Sequence, residues 1–178
     1  MFHQVPVLPV VVPVAAPAFV VLLGSLHRRA RLTPQRAAVA LTLCVYLAGV
    51  LANTVFPIFL GKPSSGQPWD AYLNLVPLVG YEVVDAVTNV AVFVPLGVLL
   101  PLFFVRAPWW QVLLLGAGLS LLIEVSQYVT ANLLGGGHVA DVNDLLFNVV
   151  GTGVGLALLE GVRRIPGAAR VVDGFRWR

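Results

Sequence analysis

The chain has 178 residues, 58% of them hydrophobic and only 11% charged, with a net charge of +3 and a mean hydropathy of +0.90. Soluble globular domains carry roughly 25% charged residues, so this composition lacks the polar surface needed to face water. The basic residues flank apolar runs, so the pI near 9.5 points to membrane topology and anionic lipid rather than to a nucleic-acid surface.

Apolar stretches lie near 5–26, 37–60, 87–105, 109–130 and 142–161. Each falls within the roughly 17–25 residues needed to cross a hydrocarbon core about 30 Å thick. They predict an all-α, polytopic transmembrane helical bundle of about five spans and leave no room for a separate soluble domain. The first run begins Met-Phe-His-Gln, without Lys or Arg, and is followed by Arg28 and Arg29. A secretory signal has the opposite charge order, so an uncleaved span starting outside is expected. Pro6, Pro9, Pro13 and Pro17 weaken this helix, although membrane helices tolerate proline where neighbours satisfy the freed carbonyls. The alternative is a processing site at Ala15-Ala16-Pro17-Ala18. The second run holds Cys44, the one cysteine, which excludes an intramolecular disulfide and suits a small buried hydrophobe.

Orientation follows from the loops. Arg28, Arg29, Arg31 and Arg36 separate the first two runs, Arg106 separates the third and fourth, and Arg163, Arg164, Arg170, Arg176 and Arg178 follow the fifth. Only Lys62 falls in the other set. Because Lys and Arg accumulate on the cytoplasmic side, the expected topology is N-out/C-in, in a multi-pass cell-membrane protein.

The loop near 61–86 starts irregularly, with Gly61, Pro63, Ser64, Ser65, Gly66 and Pro68. Its Trp69–Tyr81 part suits an interfacial anchor, or a lid bordering a polar pocket. The loop near 131–141 contains Gly135-Gly136-Gly137, then His138. Asp141 is a candidate N-cap for the fifth helix, with Asp144 at the third helical position. Carboxylates there also meet the positive end of the helix dipole, worth roughly 0.3–1 kcal/mol each.

Charged groups cost about 3 kcal/mol at the bilayer centre on insertion scales and usually face a polar interior. Here polar residues recur at helical spacing. Ser120, Glu124 and Gln127 share a face of the fourth span, and Asp141, Asp144, Asn148, Gly151 and Gly155 share one of the fifth. Thr88 and Asn89 open the third. Antiparallel hairpins bring these segments toward one half of the membrane. The expected pocket comprises Asn89, Glu124, Gln127, His138, Asp141, Asp144 and Asn148. Gly151 and Gly155 form a small-xxx-small pair suited to helix packing.

These residues carry a resemblance. Asn74-Leu75-Val76-Pro77-Leu78, Asn89 with Phe93-Val94-Pro95-Leu96-Gly97, Glu124-Val-Ser-Gln127, and Asp141-Val-Asn-Asp144-Leu-Leu-Phe-Asn148-Val-Val-Gly151 together resemble the VanZ-like family of bacterial membrane proteins, over about 74–155. One departure is His138, where the family pattern usually has Arg. An Arg would stay charged and fork onto a carboxylate or phosphate, whereas His is neutral or switchable near pH 6.5. The resemblance implies a link to teicoplanin-type glycopeptide resistance and supplies no catalytic mechanism. The organisation expected is 1–60, two N-terminal helices with a basic cytoplasmic loop; 61–161, the VanZ-like membrane domain; and 162–178, a basic cytoplasmic tail.

Three functions fit. The first is an envelope protein whose outer-leaflet pocket binds a lipid headgroup, a lipid-linked wall precursor or a glycopeptide-type compound. The second is a membrane-embedded enzyme on a lipid-linked substrate, with Glu124 and Asp144 as an acid/base pair and Asp141 and His138 helping to hold a divalent cation such as Mg²⁺. The third is a purely structural bundle. No cofactor, metal centre or nucleic-acid partner is assigned, and the membrane's own lipids are the expected partners.

Overall fold

The computed structural model describes residues 3–62 and 66–177. Pro63, Ser64 and Ser65 of the irregular loop, and Arg178 of the tail, lie outside the described residues.

Among the described residues five helices are long and apolar enough to cross a membrane: α1 (Leu8–Arg28), α2 (Pro34–Thr54), α3 (Val83–Phe103), α4 (Trp109–Leu133) and α5 (Val142–Arg163). All lie close to the expected runs. The second departs most, stopping at Thr54 rather than Leu60. Beyond it the chain turns through a cis Phe56–Pro57 bond, and Phe59–Leu60 (β2) pairs antiparallel with His3–Gln4 (β1). The apolar character of 55–60 thus belongs to a strand and its turn. The α2 start follows local rules: Pro34 opens it and the Thr33 hydroxyl accepts from the Arg36 amide.

The centre of the bundle is α3 against α5. Glycines allow this. A Cβ at Gly155 would lie 2.0 Å from the Val94 carbonyl oxygen, and one at Gly151 would lie 2.3 Å from that of Val90. No side chain fits there, so the helices approach backbone to backbone as small-residue pairs permit. Around this seam Val50, Phe93, Leu96, Leu100, Val112 and Ile123 form a buried cluster joining α2, α3 and α4. α1 packs against α2 at the edge, with Val10, Val12, Val14, Val20 and Val21 exposed.

The two ends differ in construction. At one end, a short helix absent from the sequence expectation, α6 (Ala168–Phe175), lays Val172, Phe175 and the following Trp177 against Val39, Leu43, Leu99, Leu102 and Leu159. The Trp177 amide donates to the Leu102 carbonyl (2.8 Å), its indole N–H to the Arg36 carbonyl (3.2 Å), and Arg36 Nε to the Arg176 carbonyl (2.9 Å). At the other end, Leu73–Asn74 (β3) pairs in parallel with Ala140–Asp141 (β4), in register Leu73↔Ala140 and Asn74↔Asp141. A 3₁₀ turn at Trp69–Tyr72 precedes it. Trp69 packs on Tyr128 and Tyr81 on Phe147, so this segment lies against α4 and α5.

Candidate functional site

The N-terminus of α5 organises this end. Asp141 caps it, one carboxylate oxygen accepting from the Asn143 amide at 2.7 Å. In a capping box the third helical residue would reach back to the cap's own N–H. Here Asp144 does not. Glu124 of α4 takes that place, Oε2 accepting from the Asp141 amide at 2.8 Å. A carboxylate from a neighbouring helix therefore completes the cap. Asp144, released from it, accepts from Asn89 Nδ2 of α3 at 2.5 Å. Two side-chain links thus bind α3 and α4 to the first turn of α5.

Deeper in the bundle, Asn148 Nδ2 donates to Ser120 Oγ (2.9 Å), and the Thr152 hydroxyl donates to the Asn148 carbonyl (3.0 Å). Asn148 is 3% exposed and Gln127 6%. Their side-chain oxygens, Asn148 Oδ1 and Gln127 Oε1, have no hydrogen-bond partner.

These groups surround a cavity of about 550 Å³ between α2 and the α3–α4–α5 core. Asn89, Glu124, Gln127, His138, Asp144 and Asn148 all line it. Asp141 does not. Its second oxygen accepts from Asn74 Nδ2 (3.0 Å), on the far side of the α5 terminus. Asp141 is part of a clamp in which Asn143, fully buried, accepts from the Leu78 amide through Oδ1 and donates to the Val79 carbonyl through Nδ2. Leu78 and Gly80 there both have positive φ (59° and 73°). The Trp69–Tyr81 segment accordingly holds α5 and, with Leu121, Val125 and Leu145, lines a separate apolar cavity of about 390 Å³. It does not border the polar one, so it is no lid over that cavity.

His138 enters from the loop, its Nε2 3.0 Å from the Phe56 carbonyl. Because a carbonyl only accepts, Nε2 carries the proton in this contact. Asp141 and His138 therefore do not converge on a cation, and among the described residues no three His, Cys, Asp or Glu side chains do. Lys62, the basic residue of this end, donates to the Gly135 carbonyl and lies over the Phe59 ring, and is not among the cavity-lining residues.

The sequence expectation missed one wall. α2 contributes Tyr46, Asn53 and Thr54, and α3 adds Thr88. The Tyr46 hydroxyl donates to the Val92 carbonyl at 3.0 Å, joining α2 to α3 beside the cavity. Asn53 and Thr54, the last residues of α2, carried the signal of two adjacent polar groups ending an apolar run.

Five long apolar helices, four of which line a polar cavity, define a polytopic helical membrane protein. The chain belongs to the VanZ/LLP1 family, whose model matches residues 39–163, from α2 through α5. No curated protein and no solved structure matches it.

Proposed function

We propose that this protein sits in the bacterial cell membrane with its arginine-rich end in the cytoplasm and binds the polar head of an envelope amphiphile, a lipid or a lipid-linked wall precursor, in the cavity near the outer leaflet. The observation that carries this reading is the pair of buried, unpartnered oxygens on Gln127 and Asn148, in a wall shared with Glu124 and Asp144. A buried acceptor without a donor costs ~1–3 kcal/mol, and a head that donates to it recovers that cost. The rim supports entry from the bilayer: Val45 of α2 and Val92 and Pro95 of α3 line the cavity and are exposed, so tails can remain in lipid while the head is inside. The arginines of the α1–α2 loop, the α3–α4 loop and the segment after α5 support the orientation.

The test compares lipids co-purified with wild type and with Glu124→Gln and Asp144→Asn. Both changes keep an oxygen able to accept from the Asp141 amide or from Asn89, so the fold is expected to persist while the retained amphiphile is lost. Identical lipid profiles would sink the proposal. The enzyme reading keeps one supporting observation, two carboxylates in one cavity. It requires the opposite pattern, with ligand retained and turnover of a lipid-linked substrate abolished. A role in teicoplanin-type resistance requires that the same variants change sensitivity to that drug class at equal protein level.

A further inference from the structure

The chemistry of the cavity wall narrows the ligand. The acidic side chains that line it are Glu124 and Asp144, the one titratable base named among its walls is His138, and among the described residues no Lys or Arg lines it. Among the described residues the salt bridges are Arg163–Glu160 and Arg176–Asp173, both at the opposite end. The carboxylates are held by N–H donors alone, Glu124 by the Asp141 amide and Asp144 by Asn89. Among the described residues no donor reaches the second oxygen of either.

The neutral groups point the same way. Gln127 Oε1 and Asn148 Oδ1 are acceptors left open, on side chains more than nine-tenths buried. Two acids and two bare carboxamide oxygens in one wall call for a ligand that brings positive charge and several N–H donors. Recognition of a quaternary ammonium rests instead on aromatic faces. Among the described residues the Phe, Tyr and Trp lining is Phe93 and Tyr46, with Phe93 1% exposed and the Tyr46 hydroxyl engaged by Val92. A phosphate head without an amine would meet two acidic side chains and, among the described residues, no Lys or Arg, while His138 turns its Nε2–H to the Phe56 carbonyl.

We infer that the cavity selects a primary ammonium group, carried by the head of a membrane amphiphile whose tails leave between α2 and α3. This rests on the amphiphile-binding reading and specifies its ligand class. An ammonium supplies three donors and one positive charge, matching the open oxygens of Glu124, Asp144, Gln127 and Asn148 in kind. Charge-assisted bonds of this sort are the stronger hydrogen bonds.

The experiment titrates the purified full-length protein, stripped of native lipid, with phosphatidylethanolamine, phosphatidylcholine and phosphatidylglycerol of identical acyl chains, read by native mass spectrometry. Ethanolamine is added as soluble competitor. Phosphatidylethanolamine is expected to bind roughly tenfold more tightly than either other lipid, the factor expected for one charge-assisted bond. Glu124→Gln with Asp144→Asn should level the three. Competition by millimolar ethanolamine supports the ammonium and makes a soluble amine a second source of it; absence of competition, with the lipid preference intact, supports the lipid source. Phosphatidylglycerol or phosphatidylcholine binding as well as phosphatidylethanolamine in wild type overturns the inference, and this needs no variant to fold. Retention of none of the three lipids, with no response to ethanolamine, overturns the underlying pocket reading as well.

Discussion

At one end of the bundle arginines gather at its edge, and at the other two acidic side chains lie between helices. The arginines of the first end bond mainly to backbone carbonyls or to near neighbours in sequence: Arg36 to Arg31 and Arg176, Arg176 to Val105, Arg163 to Glu160. Their side chains are half-buried at the edge of the bundle, with the stems along apolar surface. Glu124 and Asp144, by contrast, sit between helices, 17 and 55 residues in sequence from the donors they accept from. On the proposed reading, the arginines set orientation. Internal acids require particular donors at particular places, and they leave acceptors open where no protein group arrives. On the proposed reading, orientation belongs to the first end and recognition to the second, and mutation can test whether the two are separable.

The largest effect is expected where both ends depend on one seam. Gly155→Val places branched carbons where the Val94 carbonyl oxygen already lies 2.0 Å from a Cβ position. Overpacking of a rigid contact costs about 3 kcal/mol or more when backbone must move. Loss of monodisperse protein in detergent, or a melting transition lowered by many degrees, is the expected readout. Gly118→Ala is the control: nothing lies within 4 Å of its Cβ position, and Ala should stabilise the helix by up to ~1 kcal/mol. If the two variants melt alike, the α3–α5 seam is not the common support of both ends.

A smaller and more local effect is expected from Asp141→Ala. It removes the cap bond to Asn143 and the link to Asn74, a cost of roughly 1–2 kcal/mol by helix-cap precedent. Because Asp141 faces away from the cavity, ligand retention should survive while amides of 74–80 exchange faster with deuterated solvent. Loss of ligand with unchanged exchange would show that Asp141 belongs to the cavity after all.

This division explains what was legible in the sequence. Span positions follow from apolar length, and the shared faces of Glu124 with Gln127 and of Asp144 with Asn148 follow from helical period, both local properties. Asp141 shares the period of Asp144 and Asn148, but it sits at the cap, where the backbone is extended (φ −127°, ψ 125°) and helical geometry does not apply. Its true partner, Asn74, is 67 residues away through a two-residue parallel pairing, which no periodicity announces. The α2 wall was hidden for a related reason: Tyr46 and Asn53 are seven apart, but only the packing of α2 on α3 turns that face inward. α6 was hidden by its length. Eight residues fall below the roughly 12–15 needed for an isolated helix in water, so α6 depends on the Val39–Leu159 surface that it covers.

The smallest expected effect sharpens the comparison from the arginine end. Trp177→Phe keeps a ring against Phe103, whose centroid lies 4.4 Å from that of Trp177, and removes only the indole N–H bond to the Arg36 carbonyl. One such bond contributes about 0.5–1.5 kcal/mol, so the melting temperature should fall by a few degrees at most. The co-purified lipid profile should not change, because Trp177, Phe103 and Arg36 do not line the polar cavity. A changed profile would mean that the tail's docking is energetically coupled to the cavity through α2 or α3, the helices that carry both the Val39–Leu102 surface and the cavity rim.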